Sequence, residues 1–497
     1  MPQVKPRPPG RPFSALAVIV AGAAAVAGCS LAPAYVRPRL SAPTAYKETG
    51  AWTTATPDDG AARGAWWAVF QDPTLDGLEQ AVETANPTLA ADLAAYDQSR
   101  AFAAEARSQL LPAIGSSGSS TFNRQSVNRP LRGAGEQNNY GVNTLGAQGS
   151  YEFDFWGRIR NLVAARRAEA QASAADLAVA RLSLQAQLAN DYFSLRGLDA
   201  QADLLAQTVA AYDKAFRLTR ARHTGGAASG LDVDRATTQL SSAKAQVSDL
   251  AARRALYEHA IASLIGRPAS SFSLAPAPGR APIPVIPAGV PSALLQRRPD
   301  IAAAERRAFE ANRQIGVARA AFFPTISLNP QGGFQNTGEI NLITLPNSFW
   351  TIGPQFTFEL FDGGYRHAVV AQTRDQFMIA SANYRAAVLA AFQQVEDQLA
   401  LANHYAAAAA DEAEAVRAAR ATTNLSLIRY REGATNYLDV VIAQTAELQA
   451  EQTALSLETA RQQAGVNLVL ALGGGWSAAD LPTPAQASRL RAPSPGG

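Results

Sequence analysis

The sequence predicts an α+β membrane protein made of a duplicated unit, each copy a helix, two strands and a very long helical pair. Three observations carry this reading. First, segments recur at offsets of about 205–212 residues. Tyr151-Glu-Phe-Asp-Phe-Trp-Gly-Arg158 returns loosely at 356–366, and Leu231-Asp232-Val233 returns as Leu438-Asp439-Val440. Leu264-Ile265-Gly266 returns as Ala471-Leu472-Gly473, and Leu111-Pro112 as Phe323-Pro324. Solenoid repeats run about 20–50 residues, so this offset marks duplication of a domain-sized unit. Second, proline is absent from 131–267 and 355–481, which leaves room for unusually long helices. Third, segments of period two precede each long helix, while no window past residue 28 holds the roughly 20 apolar residues of a membrane helix. A membrane span in this chain must therefore be made of strands.

The N-terminus reads as a secretory signal over 1–28, with Lys5, Arg7 and Arg11 ahead of an apolar run from Phe13 to Val26. Val26-Ala27-Gly28-Cys29 resembles a lipobox, which implies cleavage before Cys29 and a covalent lipid on its thiol. Cys29 is the one cysteine among 497 residues, so no internal disulfide framework exists. Ser30 follows it in place of the aspartate associated with inner-membrane retention, which favours the outer membrane. Removing the signal's three bases leaves 41 basic against 41 acidic residues. That balance argues against a nucleic-acid partner.

Residues 29–85 comprise a Pro-, Ala-, Thr- and Gly-rich tether and then the start of the packed region at Trp66-Trp67, Phe70, Leu75 and Leu78. The first repeat spans 86–267: a helix to Leu111, strands at 113–128 and 140–156, a long helix at 157–224 and a return helix at 231–265. Leu184, Leu188, Leu195, Leu198, Leu205, Val209, Tyr212 and Phe216 follow the three-, four- and seven-residue steps of a coiled-coil seam. A proline-rich linker occupies 268–299. The second repeat spans 300–476, with strands at 325–337 and 349–361, a long helix at 363–432 and a return helix at 437–472. Residues 477–497 read as a disordered tail. Trp350, Ile352, Phe356, Phe358 and Leu360 share one parity and Thr351, Gln355, Thr357 and Glu359 the other, as lipid-facing and lumen-facing positions do. An ordinary half-buried sheet shows the same period. Pro354 marks either a bulge or a strand's start. Four strands cannot close a membrane barrel, so spanning strands require several chains to share one.

These residues resemble the TolC-like outer membrane factors, of the lipoprotein efflux type called NodT. The likeness is most specific in Leu294-Leu-Gln-Arg297-Arg298-Pro299-Asp300-Ile301 through Ala-Ala-Phe322-Phe323-Pro324, and continues in Leu360-Phe361-Asp362-Gly363-Gly364 and Ala471-Leu472-Gly473-Gly474-Gly475-Trp476. The resemblance implies a homotrimer whose barrel takes four strands from each chain, continued by an α-helical coiled-coil tunnel through the periplasm. The linker and terminal segments would form an equatorial belt. It further implies a passive duct for drugs or other small molecules, joined to a periplasmic adaptor and an inner-membrane pump. An exit duct for secreted proteins or metal ions shares the fold, and a coiled-coil lipoprotein without a pore shares the helices.

No catalytic or metal-binding set stands out: His223, His259, His367 and His404 are scattered, and no cofactor beyond the Cys29 lipid is implied. The informative charges lie at the two helix turns. Ser229-Gly-Leu-Asp232 and Asn436-Tyr-Leu-Asp439 place a capping residue three positions before an acid, so both aspartates suit helix capping. By the resemblance, these turns form the closed periplasmic gate, with Asp439, Asp232, Asp234, Leu438 and Ile442 as its residues. Many relatives carry an acid where this chain has Ile442, so Leu438 with Ile442 is an apolar alternative. Gly225 and Gly433 mark the turns and, by resemblance, the adaptor's docking grooves. Arg222, Arg429 and Arg431 either cap the last helical carbonyls or pair with gate acids. The halves differ where Asp234 and Arg235 oppose Val441 and Ile442, and the first turn reads as the longer.

Overall fold

The computed structural model describes residues 30–40, 43–48 and 65–490, apart from 129, 131, 132, 134, 136, 278–281, 285, 287–290, 339 and 340. The expected signal peptide, Cys29 and the end of the expected tail lie outside them. In chain order the main elements are α1 (Pro73–Ala85), α2 (Pro87–Ser108), β1 (Ala113–Arg124), β2 (Asn139–Glu152), α3 (Arg158–Thr224) and α4 (Gly230–Leu264). After the linker come α5 (Pro299–Ala320), β3 (Thr325–Leu328), β4 (Gln331–Asn336), β5 (Ser348–Thr351), β6 (Pro354–Thr357), α6 (Tyr365–Arg431) and α7 (Tyr437–Leu472). Among the described residues no helix is long and apolar enough to cross a membrane.

Helices α3 and α6 are each 67 residues long, on the order of 100 Å at about 1.5 Å per residue. Nothing inside them breaks the ladder, and tertiary packing sustains the length. Leu188, Leu195, Leu205 and Tyr212 of α3 are buried in the expected seam, and Val388, Val395 and Leu399 of α6 are buried at the same seven- and four-residue steps. Each long helix begins where a strand ends, under a left-handed glycine, Gly157 or Gly364. An aspartate caps the step. Asp154 accepts from the amides of Ile159 and Arg160 at 3.0 and 2.9 Å, and Asp362 from those of Gly364 and Arg366 at 2.9 and 3.1 Å.

The shorter helices stack end to end along the long ones. Asn86, before α2, accepts from Leu89 N at 3.0 Å and donates to the last carbonyl of α4, Leu264 O, at 2.7 Å. In the second repeat Arg298 stands before α5 and donates to Ala471 O of α7 at 2.9 Å. Chain must pass close by at both joints. A methyl on Gly266 would strike the Ala85 carbonyl, and one on Gly473 the Arg297 carbonyl, each glycine also having a left-handed φ. The resulting wall runs α2/α4, α3, α5/α7, α6.

A belt girds the middle of this wall. Trp66, Trp67, Phe70, Leu75, Leu78 and Val82 pack on Leu182 to Leu195 of α3 and on Ile261 of α4. Tyr46, Ile286 and Leu294 pack on Tyr384, Val388 and Val395 of α6. Asp199 anchors the linker, accepting from Arg196, Arg254 and Ala277 N at 2.9, 2.7 and 3.0 Å. The C-terminal segment up to Leu490 is also packed, which corrects the expected disorder. Ala487 is fully buried against Ala103 and Ala170, and Gln171 donates to Pro482 O at 2.8 Å.

The sheet is antiparallel throughout, in the order β1, β2, then β3 and β4, then β5 and β6. The strands expected at 325–337 and 349–361 are each broken in two, and both stop short, at Asn336 and Thr357. Proline, which lacks a donor, sits at each break. Pro330 separates β3 from β4 while its carbonyl still accepts from Gly149 N at 2.7 Å, and Pro354 starts β6. The first-repeat strands end at Arg124 and Glu152, short of the expected 128 and 156. Ile114, Leu145, Phe334, Trp350 and Phe356 fall on one face by register, and Gln148, Gln331, Gln335 and Gln355 on the other.

Candidate functional site

Both helix turns contain five residues, 225–229 and 432–436, so the first is not longer as the sequence suggested. Each closes a long helix in the same way. Ala227 N donates to Arg222 O at 2.7 Å and Ala434 N to Arg429 O at 2.8 Å, around Gly226 and Gly433, both at φ 75°. The partner of Gly433 is thus Gly226, while Gly225, at φ −80°, needs no glycine for its backbone.

The two aspartates expected to act alike do not. Asp232 completes a capping box: Ser229 Oγ accepts from its amide at 3.2 Å, and its Oδ2 accepts from Ser229 N and Oγ at 3.3 and 2.9 Å. Its other oxygen faces Arg235 at 3.5 Å. At the second tip Asn436 Oδ1 accepts from Asp439 N at 3.2 Å, but the Asp439 carboxylate accepts from the Thr435 hydroxyl and remains exposed. Asp234 is exposed as well, and Leu438 and Ile442 are 38 % and 59 % exposed. Asp234, Asp439, Leu438 and Ile442 therefore stay available at the surface of the tips, whereas Asp232 is engaged in capping.

Arg222 caps a helix that is not its own. Its Nη1 donates to Tyr430 O at 2.5 Å and Arg431 O at 3.3 Å, the last carbonyls of α6, and its guanidinium lies 4.7 Å over the Tyr430 ring. Tyr430 packs on Tyr437 at 5.3 Å between centroids and donates to Thr219 Oγ1 at 3.3 Å. Burial pushes the Tyr437 hydroxyl up to about 12. Ala215, Ala236, Tyr430, Tyr437 and Val440 make one apolar cluster, so the two tips pack as a single unit. Arg429 and Arg431 are exposed at its edge. Sequence reading missed Tyr430 and Tyr437, whose signal was an aromatic on either side of the Gly433 turn.

At the other end, β1 and the β5/β6 strand are sheet edges. The helical wall is also open at both margins. Phe102 and Leu256 on the α2/α4 side are 49 % and 68 % exposed, and Met378, Ile379 and Leu389 on α6 are 65 %, 61 % and 59 % exposed. Unpaired strand edges are not tolerated in hydrocarbon. Copies joined edge to edge, β1 against β6 and α2/α4 against α6, satisfy both margins together.

The profile of the outer membrane efflux protein family matches residues 78–267 and 290–474. The probable efflux pump outer membrane protein TtgC of Pseudomonas putida is 31 % identical over 452 residues, covering 90 % of this chain and 93 % of TtgC. Outer membrane protein OprJ of Pseudomonas aeruginosa is 31 % identical over 457 residues, with the same coverage of 90 % and 93 %. Among solved structures, the outer-membrane channel OprN superposes with a TM-score of 0.83 at 28 % identity, covering 90 % of this chain and all of that one. The open state of the Neisseria gonorrhoeae MtrE outer membrane channel superposes at 0.78 with 26 % identity, covering 92 % of this chain and 100 % of that one. With its duplicated wall and open sheet edges, the chain belongs to the outer membrane efflux protein family, as a trimeric outer-membrane efflux channel.

Proposed function

We propose that this channel exports antibiotics and small aromatic solvents, and that its periplasmic mouth is closed by the α3/α4 and α6/α7 tips. The support for the cargo is the naming of relatives 31 % identical over 452 residues, one an antibiotic efflux protein and another a toluene efflux protein, both from Pseudomonas putida. The observation that carries the gate is the exposure of Asp439, Asp234, Leu438 and Ile442 on one joined tip unit. A threefold arrangement brings three copies of each carboxylate together. Like charges so placed disfavour joint ionisation and attract cations. Leu438 and Ile442 add an apolar constriction beside them. Arg429 and Arg431 are the cations available to a neighbour's acids or to the adaptor, and the Gly225 and Gly433 turns present backbone to the same partner.

The duct is passive, so pump and adaptor supply direction. Cys29 carries the lipid anchor in this reading. Ser30 supports it: its hydroxyl donates to Asn161 Oδ1 at 3.1 Å, in the first turn of α3 just past the strands. The test is a deletion strain challenged with antibiotics of several classes and with toluene, complemented by wild type or by Asp439→Ala. Sensitisation that wild type reverses supports the reading. Unchanged susceptibility to every compound would refute the cargo assignment.

A further inference from the structure

The run Gly473-Gly474-Gly475-Trp476 ends α7 and turns the chain back onto α3. All three glycines have a left-handed φ, of 96°, 58° and 83°. A methyl on Gly474 would strike the Leu182 side chain, so the turn sits tight on the long helix, while Gly475 is exposed. Trp476 is half-buried against Ala172, Ala175, Ala302 and Ala303. Between this turn and α3 lies a cleft of about 370 Å³. Ala174, Ala178 and Arg181, spaced at four and three residues on one face of α3, form its floor, and Gly475, Trp476 and Asp480 line its rim.

The cleft holds one charge of each sign, and each keeps bonding capacity. Arg181 meets Glu83 through Nε at 3.0 Å, yet its side chain is 49 % exposed and one carboxylate does not occupy all five guanidinium donors. Asp480 accepts from Ser477 N at 2.9 Å through Oδ2 and is otherwise exposed. A guanidinium and a carboxylate around an aromatic ring suit a ligand carrying a carboxylate and an ammonium on a short aliphatic stem. The position of the cleft narrows the source of that ligand. Gln185, also in its lining, accepts from Trp66 Nε1 at 3.1 Å, so the cleft opens on the belt side of the wall, outside the tunnel. It lies between α3 and the α5/α7 row, away from the margins at α2/α4 and α6 that neighbouring copies cover. Arg181 stands 23 residues past Arg158, about 35 Å along α3 from the strands and out of reach of lipid headgroups. The layer that a duct crosses at this depth is the cell wall, whose uncrosslinked stem peptides carry an ammonium and a carboxylate on one diamino acid.

We propose that this cleft binds the ammonium–carboxylate end of an uncrosslinked cell-wall stem peptide, Arg181 taking the carboxylate and Asp480 the ammonium, and so moors the duct in the layer it crosses. The inference does not depend on the cargo or the gate. It is tested on the full-length trimer in detergent, titrated with a purified disaccharide tetrapeptide whose one free amine is that of diaminopimelate. The same compound acetylated at that amine, and phosphoethanolamine, are the comparison probes. Saturable binding of the free-amine compound is expected, weakened about tenfold by acetylation, by Asp480→Asn or by Arg181→Gln, the effect of one lost charged contact. The acetylated compound should bind wild type and Asp480→Asn alike, because its ammonium is already gone. Gel filtration checks that the variants remain trimers. Asparagine at 480 keeps an oxygen for the Ser477 amide, so Asp480→Asn decides alone should Arg181→Gln, which also loses the Glu83 pair, not assemble. Absence of saturable binding, equal binding of the acetylated compound or of phosphoethanolamine, or unchanged affinity in an assembled variant overturns the proposal.

Discussion

The guanidinium of Arg222, at the end of the first long helix, lies 4.7 Å over the ring of Tyr430 at the end of the second and donates to that residue's carbonyl at 2.5 Å. One side chain thereby ties the two repeats together at their tips. It satisfies carbonyls that a helix C-terminus otherwise leaves open.

Replacing Arg222 with alanine removes a charged hydrogen bond and a cation–π contact, together on the order of 2–4 kcal/mol at this joint. Amide exchange is expected to accelerate across residues 425–440 and to stay unchanged in the strands. Equal protection at the tips in variant and wild type would show that the apolar cluster alone holds them.

Glu79 is fully buried in α1 with neither oxygen hydrogen-bonded, and Arg181 pairs instead with Glu83 at 3.0 Å. Burial first, then the neighbouring Glu83 and Asp76 carboxylates, raises Glu79 from its ordinary 4.5 to about 9. The folded belt therefore holds a proton that the unfolded chain releases above its ordinary range. Stability from this group is full below the ordinary value and declines as pH rises towards about 9. Thermal melting of the wild-type trimer is expected to fall between pH 5 and pH 9 more steeply than that of Glu79→Gln. Parallel curves would contradict this.

Gly266→Ala and Gly473→Ala each place a methyl against a backbone carbonyl and in a left-handed conformation. Left-handed strain alone costs about 1–2 kcal/mol, and the clash adds to it. Both variants are expected to yield less trimer, whereas Gly77→Ala, where a methyl meets nothing within 4 Å, should assemble normally. Heat-stable trimer on gels is the readout.

Cys29→Ser is expected to remove a diacylglyceryl mass from the purified chain, seen by intact mass spectrometry, while the trimer persists. Loss of the mass difference between the two proteins would place the lipid elsewhere or nowhere.

The long helices, the duplication and the two glycine-marked turns were legible because each leaves a local trace: missing prolines, recurring motifs, a capping residue three before an acid. What escaped depends on tertiary contact. Nothing in the residues around Pro330 says that its carbonyl keeps the register of a broken strand. The order of residues 477–490 rests on Ala487 fitting between Ala103 and Ala170, which are far away in sequence. At the tips, Asp232 and Asp439 look equivalent in the chain, yet Ser229 with its hydroxyl completes a reciprocal cap and Asn436 leaves its aspartate exposed. Arg222 was recognisable as a capping cation, but that it caps the other repeat's helix follows only from the packing of the two tips.

Ion conductance across a planar bilayer reports whether the trimeric duct is held shut at its helix tips, as proposed. The wild-type trimer is expected to conduct weakly, and an Arg222→Ala/Asp439→Ala trimer to conduct several-fold more with reduced preference for cations. Equal conductance and equal ion preference in the two trimers would contradict it.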